Sequence, residues 1–121
     1  MQNPANLRVL AVAEELAAEV YGLTRRLPHS ERFGLTSQLR RAAISVGSNI
    51  AEGCGRSGNK ALLAFLFIAL GSATELEFQL RLAVRLEFVT SIDAEPALEA
   101  SRKTKRMLTQ LAVELRKRVD K

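Results

Sequence analysis

The side chains with the greatest chemical capacity stand in one stretch, Glu31 to Arg56, which reads ERFGLTSQLRRAAISVGSNIAEGCGR. Gln38, Arg41, Ser45, Ser48, Asn49, Glu52 and Arg56 recur at three- and four-residue intervals. On a helix of 3.6 residues per turn they form one continuous polar stripe. A solvent face is usually filled with interchangeable Lys and Glu, whereas this one is mostly amide and hydroxyl, groups that bond in fixed geometry. Catalysis here would need a nucleophile, a base and an orienting group within reach of one another. No His lies near, and Glu52 has no second carboxylate at a helical neighbour. The stripe is therefore expected to hold helices or subunits in register through hydrogen bonds rather than to catalyse, and no enzyme is predicted.

The other reactive types lead no further. Gly53 to Lys60, GCGRSGNK, superficially looks like a phosphate-binding loop. Asn59 stands where its Lys belongs, Ala61 where its Ser or Thr belongs, and a helix rather than a strand precedes it. A helix-to-helix turn is the better expectation. His29, between Pro28 and Ser30, has no Cys or second His with which to share a metal. Cys54, near a helix C-terminus, lacks the setting that lowers a thiol pKa. Metal, cofactor and small-molecule substrate are all expected to be absent.

These groups are positioned by what reads as four helices, at about 4–27, 33–54, 58–87 and 94–119. Val9, Ala13, Leu16, Val20, Leu23 and Leu27 make the core stripe of the first, with Pro4 in its first turn and Pro28 stopping it. In the second, Leu35, Leu39, Ala42, Ala43, Val46 and Ile50 face the core, and Gly53-Cys54-Gly55 supplies a C-cap and turn. Ile44, Gly47 and Ala51, on its opposite side, are apolar or small where a surface helix should be charged. Gly47 costs roughly 1 kcal/mol inside a helix, which points to close approach by a neighbouring backbone. In the third segment Glu75 to Leu82 alternates polar and apolar like a half-buried strand. Helix is favoured by the abundance of Ala, Leu, Glu and Arg and by Glu77 four residues before Arg81. On that helix Leu66, Leu70, Ala73, Leu80 and Val84 form one apolar stripe, and Phe67, Gly71, Thr74, Phe78 and Leu82 a second. The last helix, with Ser91 or Asp93 as cap, turns Leu108, Leu111, Ala112, Leu115 and Val119 inward.

An all-α, antiparallel up-down-up-down four-helix bundle is the economical fold for four amphipathic helices with short links. Two apolar faces on each of helices two and three exceed what one bundle core absorbs. Ile44, Gly47, Ala51, Phe67, Gly71 and Phe78 are the expected subunit contacts of a homo-oligomer.

A chain of 121 residues forms one domain and needs no staples. The single Cys permits no internal disulfide and suggests a reducing, cytoplasmic compartment. The start, MQNPANLRVL, lacks a secretory pattern. The longest uncharged run, 61–74, has 14 residues against the roughly 20 of a membrane span.

The net charge of +5 lies entirely at one end. Residues 1–96 carry ten Lys/Arg and ten Asp/Glu, and residues 97–121 carry eight against three. Arg102, Lys103, Arg106 and Lys117 of the last helix are candidate phosphate contacts, since Lys and Arg displace counterions from nucleic-acid backbones. The alternative is a solvated helix face. Arg40, Arg41 and Lys60 add a second basic zone near helix two, joined by Arg56 unless Glu52 at i−4 consumes its charge. The last helix has no aromatic for base stacking, so any RNA contact should be backbone-directed and weakly sequence-selective.

The block from Arg32 to Gly53, RFGLTSQLRRAAISVGSNIAEG, resembles the signature of the bacterial four-helix bundle proteins encoded in 23S ribosomal RNA intervening sequences. Ile68 to Glu77, IALGSATELE, is similar to that family's second block, and the likeness runs from the Val20-Tyr21 region onward. It implies an antiparallel four-helix bundle assembling as a five-fold ring. Relatives of the family include the accessory variability determinant of diversity-generating retroelements, a basic pentamer that works with a reverse transcriptase and RNA. Many members carry Pro where this chain has Gly47, so the helix here lacks the kink expected of them. A ring would multiply the basic patch into a field attractive to polyanions. The expected partners are copies of the chain itself and RNA or a ribonucleoprotein, with no membrane. The alternative is a protein scaffold that makes no nucleic-acid contact.

Overall fold

The structure, a computed structural model, describes residues 3–120 as four α-helices. They are α1 (Pro4–Thr24), α2 (Leu35–Cys54), α3 (Asn59–Arg85) and α4 (Ser91–Val119), with a 3₁₀ turn at His29–Glu31. Each helix packs on its neighbour in sequence and α4 closes back on α1, leaving α1 and α3 at diagonal corners without packing on each other. Ser45 of α2 meets Ser72 of α3, and Arg26, just past α1, pairs with Asp93 at the start of α4. Successive helices therefore run antiparallel.

Local chemistry sets the helix ends, and several differ from expectation. α1 starts as its residues require, with the Asn3 side chain accepting from the Ala5 amide at 2.8 Å and Pro4 in the first turn. It ends at Thr24 rather than Leu27, because the Arg26 and Leu27 amides turn to the carbonyls three residues back. Pro28 also disfavours helical backbone at Leu27. Leu27 remains buried, so the α1 core stripe is complete. α2 begins at Leu35 rather than residue 33, where the Glu31 carboxylate folds over to accept the Leu35 amide at 3.0 Å. α4 begins three residues earlier than 94, because its cap is neither Ser91 nor Asp93 but Thr90, whose hydroxyl accepts the Asp93 amide at 3.0 Å. Pro96 consequently lies in the second turn, where its missing N–H leaves the Ile92 carbonyl without a helical donor.

The strand-like alternation at 75–82 is helical. Arg81 donates to Glu77 at 2.9 Å, and Leu76, Gln79, Leu80 and Ala83 are buried at helical spacing. α3 closes with the Phe88 amide on the Ala83 carbonyl at 3.0 Å, which sets Glu87 at φ +63° in the position glycine usually fills.

The glycines divide differently from their reading in sequence. Gly53 is a buried helical residue, and a Cβ there would come within 2.8 Å of Phe65 Cβ and 3.0 Å of Leu62 Cδ1. At this point α2 and α3 approach too closely to leave room for a side chain. The turn itself uses Gly58, at φ +90°. Gly47 faces Ala13 of α1, whose Cβ would stand 3.6 Å from an added Cβ, an ordinary contact.

The core joins these stripes to Leu62, Leu63, Leu66, Ala69, Ala73 and Leu76 of α3 and Leu108, Ala112 and Leu115 of α4. Leu35, Leu70, Val84, Leu111 and Val119 are only partly buried at its edge. Ser101 and Thr104, fully buried on α4, bond to the Ala73 carbonyl (3.4 Å) and the Ala100 carbonyl (2.7 Å), which lets small polar residues stand in the core.

Candidate functional site

The polar stripe of α2 does link helices, but at one point. The Ser45 and Ser72 hydroxyls share a hydrogen bond of 2.8 Å between α2 and α3. The Asn49 amide steadies that pair from below, donating to the Ser45 carbonyl (2.8 Å) and hydroxyl (3.1 Å). The remainder bonds locally: Arg41 donates to Gln38 at 2.6 Å, Arg56, just past α2, pairs with Glu52 at 2.8 Å, and Ser48 is exposed. Ser72, the partner that makes the stripe structural, carries no signal of its own in the sequence. Gln79 is also buried on α3, and its Oε1 is the buried side-chain oxygen among the described residues that accepts no bond.

The basic residues form three groups. Arg40 is half-buried inside the chain: its Nε donates to Thr24 at 2.9 Å, and its guanidinium lies 4.5 Å above the Tyr21 ring. It clamps α1 to α2, so the basic zone expected around Arg40, Arg41 and Lys60 does not form one patch. Arg41 and Lys60 are exposed, and Arg56, besides its Glu52 pair, stacks 5.3 Å over Phe65. On α4, Arg102 reaches Glu95 (2.9 Å) and Glu99 (3.4 Å), Arg106 reaches Glu99 (3.4 Å), Lys117 reaches Glu114 (3.4 Å), and Lys105 reaches Glu77 on α3 (3.2 Å). Hydrogen bonding to Glu95 raises the Arg102 pKa further, keeping it cationic. Among the described residues of α4, Lys103, Arg116 and Arg118 have no ion pair; Arg116 lies 5.6 Å over the Phe67 ring. Exposed ion pairs of this kind are weak and exchange readily for other anions.

The second apolar stripe of α3 points outward. Phe67 is 47%, Ile68 51% and Phe78 65% exposed, and Gly71 and Thr74 between them are exposed as well. On α2, Ile44 and Ala51 share this outward exposure, but Gly47 does not belong with them: it is half-buried against α1, the helix to which its position in the turn directs it. Among the described residues α3 is the helix long and apolar enough by composition to cross a membrane, beyond what its 14-residue uncharged run suggests. In the bundle it packs on α2 and α4 with 33% of that apolar window buried.

Chemistry at the remaining candidates is muted. Burial raises the Cys54 thiol pKa, which keeps it protonated and unreactive at neutral pH. His29 is exposed in the 3₁₀ turn. The glycine-rich 53–60 segment spans the end of α2, the turn at 55–58 and the start of α3, beside a cavity of about 380 Å³ lined by Cys54, Arg56, Asn59 and Arg118.

Comparison with known proteins places this geometry. A family model described as 23S rRNA-intervening sequence protein matches residues 5–110. Among solved structures, a protein with unknown function from the S23 ribosomal protein family of Bacteroides thetaiotaomicron is similar, with a TM-score of 0.82 and 26% identity. The match covers 89% of this chain and 97% of that one. No curated protein matches the chain.

Proposed function

The chain belongs to the 23S rRNA-intervening sequence protein family, and from that premise we propose a non-enzymatic helical bundle that assembles into a ring and engages RNA or a ribonucleoprotein through its basic exterior. One observation carries this reading: the charge excess is confined to residues 97–121, and Lys103, Arg106, Arg116, Lys117 and Arg118 of that segment are exposed on α4. Of the five pairs that α4 cations make with carboxylates, all but Lys105–Glu77 involve an exposed carboxylate, and phosphate can compete for them. Outward apolar residues such as Phe67 of α3 supply the subunit contact, and the family likeness suggests five copies.

Binding to a generic single-stranded RNA is expected to weaken steeply with salt, the log–log slope being about −0.7 for each phosphate neutralised. Replacing Lys103, Arg106 and Lys117 with Gln should flatten that slope without altering helicity. Salt-independent binding, or none at low salt, refutes the RNA arm. The protein-scaffold reading is favoured by the self-pairing of Arg102, Lys105, Arg106 and Lys117, which lowers the free charge of α4. It predicts assembly without RNA affinity.

A further inference from the structure

We infer that the apolar groove between α3 and α4 receives the acidic outer face of α1 from a second copy of this chain, so that copies join head to tail. This rests on the assembly proposed above and identifies the two surfaces that make it. The groove, about 370 Å³, has an almost wholly apolar lining that includes Phe67, Leu70 and Val113, with Arg116 and Lys117 on its lip. Phe67 and Val113 are about half exposed in the single chain, so part of their carbon surface is left uncovered by their own bundle. Arg116 has no carboxylate partner, and Lys117 has only the 3.4 Å contact with exposed Glu114. An occupant must therefore bring small apolar groups flanked by negative charge.

The outer face of α1 has that composition. Leu7, Ala11 and Ala18 make an exposed seam, narrow enough for close helix approach, and Glu14, Glu15 and Glu19 flank it. None of these three carboxylates pairs with a cation among the described residues. Arg8 and Arg25 stand toward the two ends of the face. Because α1 and α3 occupy diagonal corners, no chain can fill its own groove. The two surfaces also differ from each other, so their union is heterologous and propagates to a ring or filament rather than stopping at a two-fold dimer. Apolar burial supplies the attraction, and the charges select which face enters.

The test uses two charge-reversed chains, Glu14→Lys with Glu15→Lys on the acidic face and Arg116→Glu with Lys117→Glu on the groove. All four positions are exposed, so circular dichroism should show unchanged helicity. In sedimentation, the parent chain is expected as an oligomer and each reversed chain alone as a 13.3 kDa monomer. An equal mixture should assemble beyond two chains, since the reversed α1 face of one chain is complementary to the reversed groove of the other and the two unreversed faces still match. Should either folded variant keep the parent mass, or the mixture stay monomeric or stop at two chains, this pairing of faces is overturned while oligomerisation stands. A monomeric parent overturns both. A Val113→Glu chain gives an independent groove variant with the same expected loss of mass.

Discussion

Two glycines on the same helix are expected to respond to alanine in opposite directions. Gly47 lies in the interior of α2, where alanine gains about 1 kcal/mol of helix propensity, and Gly53 lies in its last turn, where the gain is at most about 1 kcal/mol. At Gly47 the new Cβ stands 3.6 Å from Ala13 Cβ, which is ordinary contact, and the gain should survive nearly whole. At Gly53 the new Cβ would lie 2.8 Å from Phe65 Cβ and 3.0 Å from Leu62 Cδ1. The leucine methyl can rotate, but Phe65 Cβ is fixed to the α3 backbone, so the two helices must part. Overpacking of this sort costs about 1–3 kcal/mol, which leaves Gly53→Ala net destabilised by up to about 2 kcal/mol. Thermal and urea unfolding followed by circular dichroism, at one fixed protein concentration, measure both. A domain of this size should show Gly47→Ala melting about 4 °C higher and Gly53→Ala several degrees lower. Equal shifts of the same sign would refute the reading that α2 and α3 leave no room for a Cβ at Gly53.

Three further outcomes are expected. Glu87→Gly should raise stability by about 1 kcal/mol, because φ +63° strains any residue with a Cβ; an unchanged denaturation midpoint counts against strain there. The Glu77 carboxyl is held below the usual glutamate range, chiefly by the hydrogen bond from Arg81 and also by Lys105. With the folded pKa depressed, its contribution is complete above about pH 4.3 and is lost as pH falls through the folded value. Glu77→Gln should thus be less stable than the parent near neutrality and converge with it in acid; parallel pH profiles would exclude Glu77 as the titrating group. Arg40→Met keeps the side-chain stem but removes the guanidinium from Thr24 and Tyr21, at a cost of about 1–2 kcal/mol by urea unfolding. RNA affinity should be unchanged by it, and a large loss of binding would reassign Arg40 to the surface.

The helices and the core were legible because their signals are local and repeated. A stripe such as Val9, Ala13, Leu16, Val20 and Leu23 needs only the helical period to be read, and Glu77 with Arg81 already separated helix from strand at 75–82. What escaped depends on partners distant in sequence. Arg40 looks like any surface cation until Tyr21 and Thr24 are brought beside it, and Ser45 has no visible purpose without Ser72. Gly47 and Gly53 could not be told apart, since the distinction lies in which neighbour each faces. The α4 start was misplaced because three residues within four positions, Thr90, Ser91 and Asp93, can all cap a helix, and only backbone geometry selects Thr90. The apolar groove was half visible: Phe67 belonged to a recognisable stripe, but Val113 and Arg116 complete it from another helix.

The packing order also bears on how the chain acquires its shape. Three of the four packed helix pairs join elements adjacent along the chain, and only α1 with α4 unites its extremes. The hairpins α1–α2, α2–α3 and α3–α4 each close over a short connection, so little chain freedom is lost before contacts repay it. The α1–α4 seam, including Arg26 with Asp93, is then the last to zip. Lesions there should quicken unfolding and leave the refolding rate nearly untouched, whereas damage at the α2–α3 crossing should slow refolding itself.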